Sequence, residues 1–116
     1  NKAWNQARTE QRPLLMFVVR DGCTFCDQMK AKTYADAQVA NEINESYVAL
    51  IIDPKQRAGF AKDFKIQAYP TTLVISPQSK VLDRMKGYLP PDKFRQHLTD
   101  AEARLNATAR VPSTTK

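Results

Sequence analysis

Apolar residues along the chain fall into two kinds of pattern, and the switches between them lay out the elements. Residues 14–19 (LLMFVV) and 47–52 (YVALII) are continuous bulky runs. Each has the length of a strand and falls far short of the roughly 18 apolar residues of a membrane span. Pro13 and Gly22 bound the first run, and Asp53-Pro54 ends the second. A strand without polar alternation is covered on both faces, so both runs are predicted as buried strands. Helical spacing takes over between and around them. Ala3, Trp4 and Ala7 share one side of a predicted helix over residues 3–11, which Pro13 stops. Phe25, Met29 and Lys32 recur at helical spacing from residue 24 to about residue 33. Val39, Ala40 and Ile43, with Asp36 as a cap, predict a further helix over 35–44. Pro54 can open a helix whose stripe is Phe60, Ala61 and Phe64. Residues 72–75 and 81–86, separated by the turn-rich SPQSK, predict an antiparallel hairpin. Pro90-Pro91-Asp92 opens a last helix with Phe94, His97, Leu98, Ala101 and Leu105 on one face, and VPSTTK at 111–116 reads as a polar tail.

This order predicts an α/β fold: a mixed sheet of about four strands with helices on both faces and an extra helix at the N-terminus. A length of 116 residues fits a single domain over 1–110, with its core in 14–107, large enough to bury a core without disulfide scaffolding. The balance of 42% hydrophobic and 26% charged residues is that of a globular protein. A net charge of +6 raises the question of nucleic acid. The cations are scattered among acids, however, with no basic stretch interleaved with aromatics, so a solvated surface and no nucleic-acid partner are expected. The chain begins at Asn1 rather than Met, which leads to the expectation that an upstream segment was removed.

Both cysteines lie in one short stretch, DGCTFCD at 21–27, where the first predicted strand turns into a helix. In open α/β sheets chemistry sits beyond the carboxyl ends of the parallel strands, which is where Cys23 falls. Three readings compete. A structural zinc site wants four ligands, against two cysteines and one histidine here, and His97 sits mid-helix among apolar neighbours. A structural staple would close a two-residue loop, where the entropic gain is least. A redox couple uses the spacing well, because amides of a helix's first turn and its dipole stabilise a thiolate at the first cysteine while the second lies one turn further in. A second feature is Ala68-Tyr69-Pro70-Thr71-Thr72, just before a predicted strand. Pro70 either marks the strand's first position or follows a cis peptide that holds a backbone edge against the cysteines.

A strand leading into DGCTFC, a helix after it, LIID as the next strand, AYPTT opening the hairpin and Gly87 after the last strand together resemble the thioredoxin superfamily over about residues 14–105. The stretch MKAKTYADAQVANEINESYVALIID, with its T-x-x-D-x-x-V piece, looks most like exported bacterial thioredoxin-like proteins. The resemblance implies a thioredoxin fold and a thiol-disulfide oxidoreductase. Cys23 would be the nucleophile and Cys26 the resolving thiol, with no cofactor beyond that redox-active disulfide. Pro70 would be the cis-proline, and Tyr69, Thr71 and Gly87 would meet the substrate with it; Phe25, between the cysteines, is expected either as an exposed apolar contact for partner proteins or packed onto the domain. The resemblance further implies protein or peptide disulfides as substrates and a thiol/disulfide electron-transfer partner. A monomer that does not span the membrane is expected, working as a reductant or isomerase-like partner rather than a strong oxidant. The absent initiator Met, the basic pI and the likeness to exported proteins together point to the periplasm rather than the cytoplasm. The match has departures. Phe17 stands where thioredoxins keep a buried acid and Ala49 where they keep its lysine partner, so the usual proton acceptor for Cys26 is missing. Asp21 and Asp27 flank the cysteines, either shuttling protons through water or serving as a turn residue and a helix-capping anion; the latter is expected, since acids near a thiolate raise its pKa. A client-binding module with a static disulfide and a two-thiolate metal carrier are the alternatives.

Overall fold

A computed structural model describes residues 2–55 and 59–114, with 108–114 described in backbone only. The chain runs α1 (Lys2–Glu10), β1 (Leu14–Val18), α2 (Thr24–Gln28), a π-helical turn (Met29–Thr33), α3 (Ala37–Ser46), β2 (Val48–Ile52), α4 (Phe60–Asp63), β3 (Thr71–Ile75), β4 (Val81–Lys86) and α5 (Pro91–Thr114). The four strands lie in the order β2-β1-β3-β4. β1 pairs parallel with β2 and antiparallel with β3, and β4 closes the hairpin antiparallel to β3. The parallel pair requires a crossover, which α2, the π-turn and α3 supply.

Every residue of β1 is buried, for a reason visible in its alternation. Leu15 and Phe17 enter one core layer with Met29, Val39, Ile43, Phe94 and Leu98. Leu14, Met16 and Val18 enter the other with Ala7, Ile52, Leu73 and Ile75, which Trp4, Phe60 and Phe64 cover. A strand with helices on both faces has no side left for polar residues. β2 departs from the expectation of a second buried strand. It is the edge of the sheet; Ala49 is exposed and Ile51 is 61% exposed. Only Val48 and Ile52 are buried, so its apolar run was not a measure of its coverage.

Other boundaries moved for local reasons. Helix α1 ends at Glu10 because Gln11 adopts φ +55, and the amides of Gln11 and Arg12 close back on the carbonyls of Arg8 and Ala7 at 3.3 and 3.0 Å. This is a left-handed helix stop with Gln where Gly is commoner. Arg12 then donates to the carbonyls of Asn44 and Tyr47, both at 2.7 Å, fastening the end of α3 and the entry to β2. Asp36 caps α3 by accepting from the amides of Gln38 and Val39 at 3.1 Å each. The helix expected to open at Pro54 does not: Pro54 and Lys55 form a turn, and α4 begins only at Phe60, behind Gly59 at φ +82. Residues 56–58 of that expected helix lie outside the described residues. Pro91 starts α5, where its missing amide costs nothing, and the amide of Phe94 bonds the carbonyl of Pro90 at 3.0 Å. The backbone of α5 continues through Thr114, so residues 111–114 of the expected polar tail are helical, and 115–116 lie outside the described residues. No helix among the described residues is long and apolar enough to cross a membrane.

Candidate active site

Strand β1 delivers the chain to the site. Beyond Val18, Gly22 takes φ +69, and Cys23 follows in extended conformation as the N-cap of α2. The turn therefore needs a residue tolerant of positive φ just before the first cysteine. The Cys23 sulfur accepts a hydrogen bond from the amide of Cys26 at 3.0 Å, and the carbonyl of Cys23 accepts from the amide of Asp27 at 3.2 Å. Sulfur thus occupies the place that a Ser or Asp side chain takes at an ordinary helix start. The two cysteines are joined as a disulfide with their Cα atoms 5.2 Å apart. They are not equivalent. Cys23 is half-buried at the surface, while Cys26 is 2% exposed in the layer that holds Phe17, Met29 and Phe94.

The face that packs inward is Cys26 in α2, continued by Met29 and Thr33 in the π-turn. This corrects the expected stripe of Phe25, Met29 and Lys32: Lys32 is exposed, and Phe25 is 57% exposed beside the cysteines. Cys26, Met29 and Thr33 keep the helical spacing of three and four, so the expected stripe was displaced around the helix from the face that is buried. Thr33, fully buried, donates to the carbonyl of Leu89 and ties this helix to the segment after β4.

The second sequence feature arrives from β3. The Tyr69–Pro70 peptide is cis, Pro70 is buried, and its carbonyl accepts from the amide of Gly87 at 2.7 Å. Thr71 is 1% exposed, and its hydroxyl donates to the carbonyl of Ala68 at 2.6 Å, so its side chain is used within its own turn. Gly87 has φ +81, and a Cβ built there would meet no atom of this chain within 4 Å. What demands glycine is the backbone conformation, with open space beside it. Tyr69, Tyr88 and Leu89 pack against the same core layer as Cys23 and Cys26. Cysteine turn, cis-proline turn and Gly87 turn thus meet at one end of the sheet.

Position 17 is apolar and buried in the core, and position 49 is apolar on the exposed side of β2. Phe17 meets Tyr34 edge-on at 4.6 Å between ring centroids, and Tyr34 meets Phe94 likewise at 5.2 Å. The Tyr34 hydroxyl shares a hydrogen bond with Thr72 at 3.1 Å, and burial pushes its phenol well above the ordinary value. Phe17, Tyr34, Ala49 and Ile51 line an apolar cavity of about 230 Å³ whose one charged lining residue among the described residues is Lys30. Among the described residues no carboxylate lines it. His97, by contrast, is engaged away from the cysteines, its Nδ1 2.7 Å from an Asp83 carboxylate oxygen across β4 and α5.

Two polar contacts at the site were not anticipated. Asp21 forms an exposed ion pair with Lys55 at 2.7 Å; that hydrogen bond, then the lysine's charge, holds the Asp21 carboxyl below its ordinary value. The Arg20 guanidinium sits 5.2 Å from the centroid of the Tyr69 ring. Nothing in the spacing of Arg20 or Lys55 signals these partners, since each lies in a different loop. Among the described residues there is no group of three or more His, Cys, Asp or Glu able to hold a metal ion.

A four-stranded mixed sheet whose central strand turns into a helix capped by the first of two cysteines defines a thioredoxin-type architecture. A family model for the thioredoxin-like domain matches residues 1–102, and the chain belongs to that family. Among solved structures it is similar to a thioredoxin from Thermus thermophilus, with TM-score 0.84 and 18% identity over 93% of this chain and 87% of that one. It is also similar to the oxidised C-terminal domain of DsbD from Neisseria meningitidis, with TM-score 0.73 and 20% identity over 86% and 90% of the two chains. A structure described as DsbH oxidoreductase aligns with TM-score 0.71 and 14% identity over 90% and 79%. At these identities the likeness is one of fold. No curated protein matches the chain.

Proposed function

We propose that this protein is a thiol-disulfide oxidoreductase that reduces protein disulfides through the Cys23/Cys26 couple. The observation that carries this reading is the asymmetry of the pair: an accessible sulfur at a helix start, receiving the Cys26 amide at 3.0 Å, with the second sulfur buried one turn behind it. That amide and the end of the helix favour negative charge on the Cys23 sulfur. In the reduced protein the Cys23 thiolate attacks one sulfur of a substrate disulfide. The substrate S–S bond breaks, a bond from Cys23 to substrate forms, and the departing thiolate takes a proton from water. Cys26 then loses its proton and attacks the Cys23 sulfur, releasing the second substrate thiol and forming the Cys23–Cys26 disulfide. Two electrons and two protons have passed to the substrate. A dithiol partner returns them to the protein in a reverse exchange.

The role of reductant rests on weak thiolate stabilisation. Regular α-helix behind Cys23 lasts only five residues, and Asp27 stands in its first turn. A strong oxidant needs a strongly stabilised thiolate, and both features work against one. With Phe17 and Ala49 leaving no internal acid, water reaching the half-buried Cys23 side is the proton acceptor for Cys26. Tyr69, Pro70 and Thr71 offer an extended backbone edge for a bound peptide, with Phe25 as an exposed apolar contact. The site needs no cofactor, and one copy of the chain contains all of it. The likeness of the 29–53 segment to exported proteins supports a periplasmic location.

The test is kinetic. Cys23→Ser is expected to lower the rate of reduction of a protein disulfide by at least about a hundredfold, as loss of an essential nucleophile does. Cys26→Ser is expected to accumulate a mixed disulfide with substrate, visible by mass. A Cys23→Ser protein as fast as wild type, or a native couple that stays oxidised across redox buffers until the protein is denatured, would instead favour the static-disulfide binding module.

A further inference from the structure

Arg20 is exposed at the end of the run that leads from β1 into the cysteine turn, three positions before Cys23. Its guanidinium carbon lies 5.2 Å from the centre of the Tyr69 ring, and Tyr69 is the residue whose backbone leads into cis-Pro70. Among the described residues no carboxylate forms an ion pair with Arg20. The neighbouring acid, Asp21, is taken by Lys55 at 2.7 Å. At the same end of the sheet Lys86, register partner of Thr71, is also exposed and also forms no ion pair among the described residues.

A guanidinium over an aromatic ring uses its flat face for the contact, and the N–H donors in its plane stay free. The ring also restrains the side chain in advance, so less freedom is lost when those donors meet a carboxylate in a paired geometry. An acid approaching along the Tyr69–Thr71 edge would therefore find an ordered cation not neutralised by the protein's own acids. We infer that Arg20 is a specificity-determining residue that favours disulfides with an Asp or Glu side chain next to the attacked cysteine. The inference rests on the assignment of Cys23 and Cys26 as the redox couple. Arg20 acts in recognising the substrate and leaves the exchange steps as written above.

The experiment uses the reduced protein and three disulfide-bonded peptides identical except for Glu, Gln or Lys beside one cysteine, with peptide reduction followed by chromatography. The wild-type protein is expected to reduce the Glu peptide about fivefold faster in kcat/KM than the Lys peptide at low salt, the upper range for an exposed charge pair. The ratio should shrink toward one at about 1 M salt, where screening reaches within a few ångströms. Arg20→Gln should bring the ratio close to one, Arg20→Lys should keep a smaller preference of the same sign, and Arg20→Glu should reverse it. A wild-type ratio of one overturns the inference. So does an Arg20→Gln protein that slows on all three peptides but keeps the ratio, because Arg20 would then only support Tyr69. A wild-type protein that reduces none of the peptides overturns the redox assignment itself and this inference with it.

Discussion

Strands β1 and β2 are five residues each, all apolar, and adjacent in the sheet, yet they live in different surroundings. β1 has a strand on each side and a core layer on each face, and none of its residues is exposed. β2 has one strand neighbour and leaves Ala49 and Ile51 open on the side of the apolar cavity. The lesson is that apolar composition licenses burial without requiring it. Coverage depends on which strand ends up between others. It matters for function, because the central strand aims Cys23 from a rigid base while the edge strand carries none of the groups that meet at the cysteine turn.

The largest expected effect that would sharpen the contrast is Phe17→Asp in β1. A carboxylate there would lie among Tyr34, Phe94 and the apolar cavity, at a cost of several kcal/mol when charged. Burial would raise its folded pKa above the unfolded value, so the folded state would hold more protons over that interval. The loss of stability should be least at low pH and deepen as pH rises from about 4 toward neutrality. Denaturant melts at pH 4 and pH 7 measure it; equal losses at both would contradict the burial of position 17.

Next in size is Met16→Ala, expected to lower stability by about 2–5 kcal/mol because Met16 is fully enclosed in the layer beneath α1 and α4. Its counterpart in the edge strand is Ile51→Thr, expected to change stability by no more than about 0.5 kcal/mol. Comparable losses for Met16→Ala and Ile51→Thr would break the distinction between central and edge strand. The smallest effect is expected for Asp21→Asn, which removes an exposed ion pair. The Lys55 bond lowers the Asp21 pKa from 3.8, so whatever stability it adds is present above that value and is lost as pH falls through the lowered one. A wild-type minus variant difference in melting temperature that grew on acidification would contradict this sign.

Much of the fold was legible because its signals are local. Pro13, Gly22 and Asp53-Pro54 punctuate the two apolar runs, and Asp36 caps α3 where a side-chain acceptor was expected. The cysteine turn was legible too, since a strand, a glycine and two cysteines one helical turn apart are contiguous in the chain. Less legible were the face a helix buries and a stop that residue type does not signal. Lys32 falls at helical spacing from Phe25 and faces solvent as Phe25 does, because the inward face is the neighbouring one, Cys26, Met29 and Thr33. Gln11 stops α1 in a left-handed conformation that its residue type does not advertise.

The chain alone determined the four strands and most of the helices, and that its two cysteines fall at the start of a helix after a buried strand. These follow from spacing and from residues whose backbone preferences act within a few positions. Tertiary structure alone decided that β2 is an edge, that Tyr34 and Phe94 close over Phe17, that Thr33 fastens the cysteine helix to Leu89, and that Arg20 rests on Tyr69. Each is a meeting of groups from separate elements. Hydrogen bonding across a sheet and packing between layers are set by how the elements assemble, and that is not encoded at any single position.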